Sequence, residues 1–188
     1  SNSFEGRMAA LDAAEQQELD SVKGNQEAIN AILQYYSEKR IKLRQEEAVK
    51  WIGVAQQFFN AYSDMLQSSI NEENNLENAQ FNKEKALGNK KKEEYKRMLD
   101  SKLISQDDYN SKVEAIDKVL EEKQRRIKRD QWERQHDADI LQAETNAILA
   151  IARAFVDYQW PYSLIVAALI GATAYMKVSE LESQTPPE

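Results

Sequence analysis

The chain is predicted to be all-α: a long antiparallel, coiled-coil-like helical hairpin with one helix before it and a short apolar helix after it. Three observations predict this. Only five Gly and three Pro interrupt 188 residues, so helices can run far before a residue ends them. Ala, Glu, Lys, Leu, Gln and Arg dominate and 30% of residues are charged, the composition of long helices and coiled coils. The stretch "LDSKLISQDDYNSKVEAI", residues 99–116, marks a tight turn between two such helices.

Residues 1–24 form the N-terminal helix, with Met8, Leu11, Leu19 and Val22 on one side. Ser1 and Asn2 resemble the scar of a cleaved affinity tag, so an excised piece of a longer chain is expected. Gly24 and Asn25 end this helix, because both tolerate the left-handed conformation. Residues 25–103 make the first long arm. Ile29, Ile32, Leu33, Tyr36 and Leu43 carry its helical spacing into an aromatic-rich stretch, Trp51, Val54, Phe58, Phe59, Tyr62, Met65 and Leu66. That stretch reads as a buried face, with Gly53 where another backbone approaches closely. A break is expected near 71–89, where "NEENNLENAQFN" is rich in Asn and Gly88-Asn89 follows.

Ser105 followed three residues later by Asp108 resembles a capping box, and Ile104 with Tyr109 resembles a hydrophobic staple. These four residues make the hairpin turn. The second arm, residues 104–160, keeps a heptad-like seam at Val113, Ile116, Leu120 and Ile127, interrupted by Lys123 and Arg134. If the arms fold back about residue 104, Phe81 falls near Ile127, Phe58 near Ala150, and Trp51 near Asp157 and Tyr158. Trp51, Phe58, Phe155 and Tyr158 then form the base of the hairpin.

Pro161 ends the second arm. Residues 161–182 contain "SLIVAALIGATAYMKV", in which Lys177 is the one charge. Its 16 residues fall short of the about 20 that span a bilayer. Ala167 with Gly171 and Ala168 with Ala172 give two overlapping small-xxx-small pairs, which permit close helix–helix approach. With Leu164 and Ile165, they are the candidate residues for association or membrane contact. The expected role is packing on the hairpin base or on neighbouring copies, and membrane insertion is the alternative. Residues 183–188 read as a disordered tail.

Chemistry-bearing motifs are sparse. Cysteine is absent, which excludes disulfides, thiol catalysis and Cys-ligated zinc. The single histidine, His136, lies in a charged stretch and reads as a solvated residue, short of a metal site. No Gly-rich phosphate loop occurs, and the carboxylates are dispersed along charged helices. The expectation is therefore no enzyme, no cofactor and no metal. The net charge is −7, while residues 83–134 hold 16 Lys/Arg against 12 Asp/Glu. Because the two signs alternate there, the stretch reads as a solvated helix face, and no direct nucleic-acid binding is expected.

Two of these stretches together carry a family resemblance. "MLDSKLISQDDYNSKVEAIDK", then a charged helix, then "WPYSLIVAALIGATAYMKVSEL", resembles the C-terminal region of tail tape-measure proteins of long-tailed phages and prophages, over roughly residues 95–182. The apolar segment departs from the family pattern in carrying Tyr175, Met176 and Lys177. The resemblance implies a non-enzymatic virion structural protein, made in the host cytoplasm and lodged in the tail. There it sets tail length, is ejected with the DNA, and contacts copies of itself and the tube, chaperone and tip proteins. It also implies transient contact of the apolar helix with the host membrane. Two other classes remain open: a membrane-active helical protein of the α-pore-forming-toxin type, and a generic coiled-coil adaptor.

Overall fold

A computed structural model describes residues 2–187; Ser1 of the tag-like start and Glu188 of the tail lie outside the described residues. The fold is all-α. Four helices follow in order: α1 (Phe4–Ser21), α2 (Gln26–Asp100), α3 (Gln106–Asp157) and α4 (Tyr162–Glu182). The chain divides into two units. Unit 1 comprises residues 1–60 and 145–174, and unit 2 comprises residues 61–144 and 175–188.

In unit 1, Ser3 caps α1 by accepting the Gly6 amide at 3.1 Å. Gly24, at φ +85°, provides the left-handed residue of the turn that follows. Asn25 then starts α2 by accepting the Ala28 amide on its side chain at 3.0 Å. The N-terminal turns of α2 turn back along α1 with Tyr36 and Leu43 buried between them. Arg40 reaches Asp12 at 3.0 Å and also pairs with Glu15, and Arg7 pairs with Glu46 at 3.0 Å.

Unit 2 contains the hairpin turn. The Leu103 amide bonds the Met98 carbonyl at 2.8 Å and the Lys102 amide bonds that of Leu99 at 2.9 Å. This paired closure is the Schellman pattern, and it places Lys102 in the left-handed region at φ 58°. Ser105 accepts the Asp108 amide at 3.1 Å while its own amide lies 3.4 Å from the Asp108 carboxylate, so the capping box forms. Ile104 and Tyr109 are both half-buried beside it.

Two expectations for the first arm, a break and a close backbone approach, are not met. Helix α2 is unbroken through 71–89. The reason lies in Gly88, which is buried in the seam rather than at a break: a Cβ there would come within 3.1 Å of Leu120 and 3.2 Å of Ile116. Gly53, expected at a close approach, has open space where its Cβ would be.

The strained residue of the turn yields a prediction. Lys102→Gly relieves the left-handed conformation of a residue with a Cβ and should raise stability by about 1 kcal/mol, seen as a higher urea midpoint with unchanged helicity.

Candidate assembly surface

Among the described residues no group of three or more His, Asp or Glu could hold a metal ion, and the paired polar side chains lie where helix faces meet. In unit 2 the half-buried or buried positions of α2 run Ile70, Asn74, Glu77, Phe81, Glu84 and Gly88. Those of α3 run Ile116, Leu120, Lys123, Ile127, Gln131 and Arg134. Both sets step by three and four, the period of a coiled-coil seam. The sequence reading treated Lys123 and Arg134 as interruptions, but each meets a partner. Lys123 pairs with Glu84. Arg134 donates to Asn74 at 2.9 Å and pairs with Glu77 and, at 3.3 Å, with Glu73. Gln131 donates to Asn78 at 3.0 Å, and Gln67 and Gln135 donate to each other at 3.0 and 3.1 Å. The Glu77 hydrogen bond raises the Arg134 guanidinium above its ordinary value against the opposing effect of burial. Lys92 pairs with Asp117 nearer the turn.

His136 is not a solvated surface residue. Its ring stacks on Trp132 with centroids 4.3 Å apart, and its Nε2 meets the Leu181 carbonyl near the end of α4. Since a carbonyl only accepts, Nε2 must carry the proton in this bond. The sequence showed a lone histidine in a charged helix. It did not show that Leu181, 45 positions away in the chain, returns to it.

In unit 1, helix α4 has two faces. Ser163 and Ala167 are buried, and Val166, Ile170, Gly171 and Ala174 are half-buried on the same side. Gly171 lies where a Cβ would sit 3.8 Å from Ile151 of α3. Leu164, Ile165, Ala168, Leu169 and Ala172 point outward and are exposed. Of the two small-residue pairs, Ala167/Gly171 thus faces the protein and Ala168/Ala172 faces away from it. An 18-residue window of α4 has a mean hydropathy of 1.5, and 6% of that window is buried.

The aromatics assigned to the hairpin base, Trp51, Phe58, Phe155 and Tyr158, are all exposed. The seam positions of unit 1 are instead Ile52, Gln56 and Phe59 on α2, with Leu149, Ala152 and Val156 on α3, all half-buried. The physical cause is phase. Trp51, Val54, Phe58 and Tyr62 form a second stripe of the same three-and-four spacing on α2, rotated by about one residue from the stripe that is covered.

No family model, no curated protein and no solved structure matches this chain.

Two predictions follow from these contacts. Arg134→Ala leaves the part-buried Glu77 and Asn74 without their donor and should lower stability by about 1 kcal/mol. Replacing Arg134, Glu77 and Asn74 together with Leu should restore the urea midpoint, because no buried charge is then orphaned. In unit 1, the hydrogen bond from Arg40 holds the Glu15 carboxyl below its usual 4.5. The stabilisation from this depressed carboxyl is complete above pH 4.5 and is lost as the pH falls through the lowered value. Hydrogen exchange across α1 should therefore accelerate on acidification, and Glu15→Gln should remove that acid dependence.

Proposed function

We propose that this chain is a non-enzymatic structural protein, a segment of a phage tail tape-measure protein that sets tail length and leaves the tail with the DNA. The observation that supports this reading is the order of elements over residues 95–182. A capped helical turn is followed by the charged 52-residue helix α3, a Pro-containing turn, and the small-residue helix α4. A helix converts residue count into distance at about 1.5 Å per residue, which is the property a length standard needs. Seams that alternate apolar and polar layers keep long helices paired without a continuous hydrophobic core. On this reading the outward face of α4 meets neighbouring tail components inside the virion.

A second reading rests on a specific observation. The 21 residues of α4 measure about 32 Å, close to the about 30 Å of a bilayer's hydrocarbon core, and their outward face is apolar and exposed. This favours a membrane-active helical protein.

The two readings separate in one experiment on the source genome. If the chain is part of a tape measure, its reading frame is several-fold longer than this segment. In-frame removal of 20 residues should then shorten the tails by about 30 Å in electron micrographs. A frame that ends near this segment, with dye release from liposomes, would establish the membrane-active reading instead.

A further inference from the structure

One side of the α2–α3 pair in unit 1 is covered only at Ile151, which meets Gly171 of α4, and the chemistry of its exposed part specifies what covers the rest. Trp51 and Phe58 each precede a seam residue of α2, Ile52 and Phe59, by one position. Ile148 and Phe155 each precede a seam residue of α3, Leu149 and Val156, by one position. One residue is about 100° of helix rotation. Because the two helices run antiparallel, stepping back one residue from the seam turns to the same side on both. All four side chains therefore share one side of the pair, at 62, 75, 65 and 51% exposure. Ile41, Ala48, Phe155 and Tyr158 line a groove that continues that side along the unit, with Arg44, Gln45 and Gln159 as its polar rim.

The opposite side has a different chemistry. Stepping forward one residue from the seam reaches Gly53, Gln57 and Asn60 on α2, and Ala150, Arg153 and Asp157 on α3. Coiled-coil flanks are commonly charged, whereas helices buried in a bundle add an apolar flank to the seam. Unit 1 has one flank of each kind.

We infer that the apolar flank of unit 1 is a dimer interface, on which the same flank of a second copy of this chain packs to form a four-helix bundle. The three-and-four spacing of Trp51 and Phe58 with the intervening Val54 fits helices as the occupant, since helix ridges interdigitate at this period. The area is also suitable. The four side chains expose about 500 Å², and the groove residues beside them bring the patch to about the 800 Å² per partner typical of a stable interface. Face-to-face packing of one patch on itself closes the assembly at two copies and leaves the polar flanks in water. The dimer rests on this surface alone and stands apart from the tail reading, which the frame-length experiment tests separately.

Sedimentation velocity on the full chain tests it. At ~50 μM the expected mass is twice the 21.7 kDa of the chain. Phe58→Glu with Ile148→Glu should give a monomer of unchanged helicity, while Leu164→Glu on the outward face of α4 should leave the dimer intact. If the double variant unfolds, the absence of native cysteine provides a second route. Phe58→Cys should cross-link into a covalent dimer with a bismaleimide, and Gln57→Cys on the polar flank should not. A wild-type monomer at ~50 μM would overturn the inference. So would a dimer dissolved by Leu164→Glu, or a monomer that instead co-sediments with phosphatidylcholine vesicles.

Discussion

The Arg134 guanidinium sits half-buried in the α2–α3 seam of unit 2, and its five donors must be met there or they oppose folding. Asn74, Glu73 and Glu77 meet them, and Lys123 finds Glu84 three layers nearer the turn. These polar layers constrain unit 2 more than its apolar contacts do. Leu120, Ile127 and Phe81 would pack tolerably after a slip of one heptad, because one aliphatic layer resembles the next. A slip of one heptad would carry Arg134 from Glu77 to Glu84, or Lys123 from Glu84 to Glu77, and in either direction the other cation and one carboxylate lose their partner, which costs more than an imperfect apolar contact. The sequence between the helices agrees with the same register. The Schellman closure at Lys102 and the capping box at Ser105 set where α2 stops and α3 starts.

Unit 1 is held together differently. Its α1–α2 contact depends on the charged set Arg40, Asp12 and Glu15 around the buried Tyr36 and Leu43. The Tyr36 hydroxyl donates to Glu18 at 2.7 Å, which pushes the phenol up to about 12. Helix α4 contributes small residues on its inward side, Ala167, which is buried, and Gly171, where a Cβ would reach ordinary contact distance from Ile151. Its outward side is as apolar as its inward side. A helix that is apolar all round is normally covered all round. The exposed face of α4 and the exposed flank of α2 and α3 are thus apolar surfaces of unit 1 open to association.

The fold class was legible in the sequence because it depends on local terms: few helix breakers, a recognisable cap at Ser105–Asp108, and a proline before α4. The break expected near 71–89 failed for a non-local reason. Asn74 and Gly88 are poor helix residues by intrinsic preference, but each has a partner or a close neighbour on α3 that propensity does not include. His136 is a similar case, since nothing local to residues 132–137 signals the Leu181 carbonyl.

The sequence by itself determined the helices, the turn that reverses them, and the presence of apolar stripes on each. Only the tertiary structure decided which stripe is covered. Trp51 and Ile52 sit one position apart in stripes of equal period, and periodicity carries no information about absolute phase toward a neighbour. That phase is set by where Phe59, Leu149 and Val156 find one another across the seam. As a result, the aromatics that looked most like a core in the sequence are the ones left facing outward.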